Sequence, residues 1–410
     1  MFDLVDAIKV QSNDTKNEVK YDSILFYKSK ECRGFIEEAC KFEGLTVPKS
    51  IAISEKNIQT NTRDSKASLI ILDLTSSESI PEEVERIGNV IPINTDVVVI
   101  GKEDSYQTSR QLKLKGFHYI LWPFPREEFI EIYQQLGLDT GPKTVIATSR
   151  KAKTISVIGA KGGVGSSFIS SQLARSLSEQ HSSSCIISDN NFLGGDVDIF
   201  MGLESFEKAK LNSSDMMNDI DSTYAMSMVK KVNELLSILS IQSDILPDSD
   251  MSEILNTLIY SLSDQYNFVI RDFSSSIKSM TNIEYVEKSS DVIIIVTDRS
   301  VSCIRETKKI INALDERQSL SRRMIVLNNT RPEKSANASM QEVNSFLGTS
   351  PDIVCGYDSK LSQEILIGRK FSEQKFAINR EIEKLALLVL GKSLKGSKKS
   401  FVKKWINKGA

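Results

Sequence analysis

Histidine is scarce in this chain: His118 and His181 are the only two. A histidine-based metal centre or a Ser-His-Asp relay therefore has almost no raw material. Five cysteines (Cys32, Cys40, Cys185, Cys303 and Cys355) stand far apart without metal-ligand spacing, so they read as reduced thiols in a reducing compartment. No apolar run approaches the length of a membrane span; the longest, such as Val292 to Val296, are strand-sized. The chain begins with Asp3 and Asp6 where a secretory signal needs basic residues. A cytoplasmic protein is the expectation. A net charge of −2 leaves no basic excess for a surface built around nucleic acid. What remains is ordinary globular composition, 40% hydrophobic and 26% charged, over 410 residues, enough for two or three domains.

Hydrophobic patterning divides the chain. Residues 1–20 are polar and uneven, a lead-in. Residues 21–137 carry a βα rhythm. Its strands are expected at Ser23–Tyr27, Ser68–Leu74, Asp96–Ile100 and Tyr119–Trp122. Helices are expected near Glu31–Phe42, Pro81–Gly88, Gln107–Lys115 and Arg126–Leu136. Such alternation predicts a parallel sheet with helices on both faces. Residues 138–153, with Gly141 and Pro142, read as a linker. A larger α/β unit follows over 154–391, and residues 392–410 form a basic tail.

The densest signal is Lys161-Gly162-Gly163-Val164-Gly165-Ser166-Ser167. A buried strand, Lys153–Ile158, runs into it. A helix from Phe168 to Glu179 leaves it, with Ile169, Leu173 and Leu177 on one face. Strand, glycine loop and helix start make an anion cradle, because free N–H groups and the helix dipole converge there. The pattern is a phosphate-binding loop of the deviant Walker A kind, with its lysine ahead of the paired glycines. The second lysine, expected directly after Gly165, is Ser166. Its absence removes a charge-assisted contact to phosphate worth about 1.5–3 kcal/mol. Ser167 still offers a hydroxyl to Mg²⁺.

Downstream, Cys185-Ile186-Ile187 is a strand leading to Asp189, followed by Gly194-Gly195-Asp196-Val197-Asp198. A strand near Ser237–Leu239 precedes Leu246-Pro247. Phe268-Val269-Ile270-Arg271-Asp272 is a strand ending in an acid. Asp291–Val296 and Met324–Leu327 are further buried strands, the second ending in Asn328-Asn329. Taken singly, Asp189 and Asp272 read equally well as polar strand ends, and Asn328 as a turn former.

The first domain resembles a response-regulator receiver, a flavodoxin-like fold. Asp73 ends an apolar strand where a receiver has its phosphoacceptor, and Trp122-Pro123-Phe124 matches the Lys-Pro-Phe turn with tryptophan for lysine. Phe26-Tyr27 replaces the acidic pair that holds Mg²⁺, so the resemblance implies a pseudo-receiver. From the Lys161 loop onward the order of motifs resembles the MinD/ParA class of P-loop ATPases. Joined to a receiver-like domain, it resembles the TadZ/CpaE branch of Flp (tight-adherence) pilus assembly proteins.

That resemblance implies roles residue by residue. The loop from Lys161 to Ser167 (Gly162, Gly163, Val164, Gly165 and Ser166 between them) would hold ATP, with Lys161 reaching a partner's phosphates across a homodimer. Ser167 and Asp272 would hold Mg²⁺, Asp189 and Asp272 would be the catalytic acids, and Asn328 would bond the adenine. Asn191 stands where the family has a second acid, and an amide neither takes a proton nor balances a metal's charge as a carboxylate does. Ser166 and Asn191 together predict little or no hydrolysis. The implied function is a localisation hub for a Flp-type pilus system, contacting its secretion ATPase and inner-membrane platform but no specific nucleic acid. The alternatives are an active positioning ATPase cycling between monomer and dimer, and a DNA-partitioning protein; the near-neutral charge and the receiver-like domain count against the second. In the tail, Phe401, Val402, Trp405 and Ile406 would share one face of a helix beside Lys403 and Lys404. This is the composition of an interfacial membrane anchor, whose rival is a plain basic tail. Location at the inner membrane or a cell pole is the matching expectation.

Overall fold

The computed structural model describes residues 23–63, 67–93, 95–137, 150–192, 194–203, 205–211, 220–273, 280–361 and 376–392. The lead-in, most of the linker and the tail from 393 lie outside the described residues. The chain separates into two compact units: Met1–Pro81 with Thr95–Thr148, and Glu82–Asn94 with Ser149–Ala410.

The first unit holds β1 (Ser23–Tyr27), α1 (Lys30–Phe42), β2 (Lys49–Ala52), α2 (Glu55–Arg63) and β3 (Leu69–Asp73). After α3 (Ile80–Gly88), most of which belongs to the second unit, come β4 (Asp96–Gly101), α4 (Tyr106–Leu114), β5 (His118–Leu121) and α5 (Arg126–Gly137). All strand pairs are parallel, in the order β2-β1-β3-β4-β5. That is the doubly wound flavodoxin-like order. Burial on both faces explains the unbroken apolar runs of β1, β3 and β4. Sequence reading passed over β2 and α2. β2 is an edge strand whose Lys49 and Ala52 are exposed, and α2 is polar, so neither carries a strong periodic signal.

The second unit contains β6 (Lys153–Gly159), α6 (Ser166–Arg175), β7 (Cys185–Asp189), α7 (Val197–Phe200), β8 (Ala209–Lys210), α8 (Ser222–Ser227), β9 (Val229–Lys231) and β10 (Leu236–Gln242). It continues with α9 (Asp248–Leu262), β11 (Phe268–Phe273), α10 (Met280–Lys288), β12 (Val292–Thr297), α11 (Val301–Glu316), β13 (Arg322–Asn328), α12 (Met340–Leu347), β14 (Ile353–Cys355) and α13 (Ala377–Val389). The sheet runs β14-β13-β12-β6-β11-β7-β10-β8, with β9 added antiparallel on β10. Alternate residues of each strand feed opposite cores. Ile155, Val157, Ile187, Ile270 and Ile294 pack with α6 and α13 on one face. On the other face, Ile186, Leu239 and Val269 pack with α9, while Ile158, Ile293 and Ile325 pack with α10 and α11. Helix α6 begins at Ser166 rather than Phe168 and ends at Arg175, where the backbone widens into a π-turn over Ser176–Gln180. Within this unit the Arg150 guanidinium donates to the Gly88 carbonyl at 3.4 Å, and the Asn267 amide to that of Ile91 at 2.8 Å.

All five cysteines are buried free thiols. Burial pushes Cys40 and Cys355 up to about 12 and raises the others as well. Among the described residues no helix is long and apolar enough to cross a membrane.

Candidate nucleotide site

The glycine loop joins β6 to α6, at the edge of the sheet where its parallel strands end. A side chain at Gly159 would press on Ser166 Oγ at 3.0 Å and the Lys161 carbonyl at 3.1 Å, so glycine lets the loop fold back over its own strand. Gly163 (φ +80°) and Gly165 (φ +86°) take left-handed backbone, which glycine adopts without penalty. Beside Gly162 and Gly163 there is open space. The loop runs straight into the first turn of α6, whose opening N–H groups have no partner within the helix. Such a loop at a helix start suits phosphate. Ser166 and Ser167, the first residues of α6, are both buried. Ser166 occupies the position after Gly165 at which the usual loop lysine is expected.

Two carboxylates lie beside it. Asp189 ends β7, and Asp272 is its register partner on β11. Asp272 is also level with Val157 of β6, four residues before Lys161, and is fully buried. Both acids sit at the carboxyl ends of parallel strands, where open α/β sheets bind ligands. Asp189 is heavily engaged. Its Oδ1 accepts from the Asn191 N–H at 2.9 Å, and its Oδ2 accepts from Lys208 Nζ at 3.1 Å and Ser240 Oγ at 3.3 Å. Burial raises its pKa, against the lowering pull of Lys208 and these hydrogen bonds.

Asn328, at the end of β13, donates from Nδ2 to the Val164 carbonyl at 2.9 Å. A side chain at Gly165 would stand 2.5 Å from that Nδ2. Asn328 thus braces the loop from behind. Lys161 reaches sideways and donates to Ser302 Oγ at the start of α11, 3.3 Å away. A cavity of about 300 Å³ opens there, lined among others by Lys161, Gly163, Arg299, Ser302, Asn329 and Arg331. Arg299 is paired with Glu333 at 2.9 Å, and the Asn329 side chain is tied to the Cys355 carbonyl at 2.8 Å.

The residues present fit ATP and Mg²⁺ in most respects. The open glycine loop offers donors for phosphate, and the Ser167 hydroxyl and Asp272 carboxylate are hard oxygen donors of the kind Mg²⁺ takes alongside phosphate and water. The misfit is Ser166, which brings no charge to the phosphates.

No family model and no curated protein matches this chain. Its structural neighbours are MinD/ParA-family P-loop ATPases. A ParA family ATPase from Chlorobium tepidum TLS is 22% identical, aligned over 57% of this chain and 98% of its own, with a TM-score of 0.48. The MinC:MinD cell division complex of Aquifex aeolicus is 17% identical over 59% of this chain and 98% of its own, with a TM-score of 0.48. MinD of Pyrococcus horikoshii OT3, complexed with Mg-ADP, is 18% identical over 61% and 99%, with a TM-score of 0.46.

Sequence reasoning passed over Lys208, Ser240, Ser302 and Arg299. Lys208 lies between Glu207 and Lys210 and looks like a solvated surface charge; only strand register brings it to Asp189. In the first unit Asp73 is fully buried and both its oxygens are taken. Oδ2 accepts from the Lys28 and Ser29 N–H groups at 2.9 and 2.6 Å, and Oδ1 from the Thr75 N–H and hydroxyl at 3.1 and 2.7 Å. Phe26 is buried in the core, and Tyr27 carries the Arg33 guanidinium 5.0 Å over its ring. Trp122 packs edge-on against Phe35 and Phe124 at 5.5 and 5.3 Å.

Proposed function

We propose that this protein is a localisation and assembly hub whose second unit binds ATP·Mg²⁺ through a weakened loop and hydrolyses it slowly or not at all. The first unit, on this reading, is a pseudo-receiver that docks partners. The second unit pairs with that of another copy. The order of motifs from Lys161 to Asn328, joined to a receiver-like unit, supports assignment to the MinD/ParA class and, within it, to Flp-type pilus assembly. The secretion ATPase and the inner-membrane platform are then the partners, and the inner membrane or a pole the place of work.

The observation that carries the weak-ATPase reading is Ser166. It is buried at the first turn of α6, directly behind a glycine loop that is otherwise well formed. Catalysis of phosphoryl transfer is positioning plus charge stabilisation, so a hydroxyl in place of an ammonium removes much of the rate. Titration calorimetry of the full-length protein with ATP·Mg²⁺, followed by a phosphate-release assay, tests this. Binding about ten- to a hundredfold weaker than in a Ser166→Lys variant is expected. Phosphate release should be slow or undetectable in the natural protein and partly recovered by Ser166→Lys. Turnover at an ordinary enzymatic rate, abolished by Asp272→Ala, would show an active positioning ATPase instead.

A further inference from the structure

Lys208 stands just before β8, a two-residue strand at the sheet edge. β8 pairs in parallel with β10, Ala209 opposite Ile241, which brings Lys208 level with Ser240. Ser240 in turn lies opposite Asp189 of β7. Register alone thus sets an ammonium, a hydroxyl and a carboxylate in one row across three strands. The side chains complete it. Lys208 Nζ donates to Asp189 Oδ2 at 3.1 Å, to the Asn191 carbonyl at 2.5 Å and to the Gly194 carbonyl. An ammonium has three donors, and each has found an acceptor. The side chains of Asp189 and Lys208 are only 4% and 15% exposed, so solvent screens the pair little. Gly195 lets the chain close over the carboxylate: its φ is +116°, and any side chain there would run into Asp189.

We infer that Lys208 is an internal counter-ion that locks Asp189, Asn191 and Gly194 in one arrangement whether or not nucleotide is bound. The inference rests on the proposed reading of the Lys161 loop as a nucleotide site and states how that site is regulated. A turn that responds to nucleotide must exchange its contacts when phosphate and metal arrive. Here the positive charge and the hydrogen bonds are already supplied from within. Withdrawing either partner leaves a buried charge unpaired, which the fold resists. Asn191 and Gly194 are therefore held in place, uncoupled from nucleotide, and releasing them requires acting on Lys208.

Hydrogen exchange of the full-length protein, read on peptides covering Asp189–Gly195 with and without saturating ATP·Mg²⁺, tests this. Binding is measured separately by calorimetry. The natural protein should show equal protection in both states. Lys208→Met keeps an unbranched side chain without the charge; its exchange in this segment should run about tenfold faster without nucleotide, with protection returning on binding. Lys210→Met, at an exposed neighbour, should change nothing. Should Lys208→Met fail to fold, Asp189→Asn removes the other charge of the pair and is expected to loosen the same peptides. Protection in the natural protein that rises with ATP·Mg²⁺ overturns the lock, as does unchanged exchange in Lys208→Met. If calorimetry finds no ATP binding, the nucleotide reading fails, while the nucleotide-free comparison of natural protein and variant still decides the lock.

Discussion

On the proposed reading of the first unit as a pseudo-receiver, Asp73 is a structural bracket and not a phosphoacceptor. Its four hydrogen bonds tie the Lys28–Ser29 turn after β1 and the Thr75 turn after β3 to one buried point. A phosphoacceptor needs a free oxygen, a metal and a neutralising cation. Here both oxygens are taken, and on the pseudo-receiver reading Phe26, Tyr27 and Trp122 present rings where acids and a lysine would serve. Asp73→Ala should lower stability by about 1–3 kcal/mol, because it strands partly buried donors; chemical denaturation monitored by Trp122 fluorescence measures it. Incubation with a small phosphodonor and Mg²⁺ should leave the protein unmodified. An acid-labile phosphoryl adduct that vanishes in Asp73→Asn would show a functional receiver. The sequence located this acid at a strand end, since the preceding apolar run is unmistakable. Its role as a bracket was not legible, because the donors come from backbone 44 and 45 residues away.

Element by element, what could be read in advance follows burial. Strands buried on both faces, such as β3, β11 and β12, announce themselves as apolar runs with polar ends. Edge elements do not: β2, β8 and β14 are only two to four residues long, yet β2 sets the strand order of the first unit and β8 delivers Lys208. The same holds at the candidate nucleotide site. The loop and the acids ending β7 and β11 were visible as motifs. The brace between β13 and the loop was not, because it depends on Asn328 packing against Gly165. This contact yields a coupled prediction. Asn328→Ala should cost about 1 kcal/mol from the lost bond to Val164 and weaken ATP·Mg²⁺ binding by loosening the loop. Gly165→Ala should cost more, since it combines positive-φ strain with a clash against the amide. The double variant should be less destabilised than the sum of the two, because removing Asn328 relieves the clash though not the strain. Strict additivity in denaturation midpoints would mean that the loop and β13 do not share this contact.

For the whole molecule, the open question of assembly turns on Lys161. A lysine ahead of the glycines cannot serve its own loop as the missing one would, and its ammonium is directed to Ser302 beside a cavity that also holds Arg299 and Arg331. Arg299 is paired with Glu333 and Asp298 also lines the mouth, so Lys161 and Arg331 supply the cationic excess that makes that face favourable for an anion, including phosphate groups held by a second copy. Self-association through the second unit is therefore expected to be linked to nucleotide: whatever binds the paired state more tightly than the single one must favour pairing. Sedimentation velocity across a concentration series should show a monomer–dimer equilibrium that shifts toward dimer with ATP·Mg²⁺. Lys161→Ala should remove about tenfold of that nucleotide-linked gain, the size of one charge-assisted contact, while leaving the fold intact because the residue is exposed. Ser302→Ala should leave the gain in place or raise it slightly, since it frees the ammonium from its own chain. A monomer at every concentration, with and without nucleotide, would remove the dimer from the proposed function and leave the hub to act through its first unit alone.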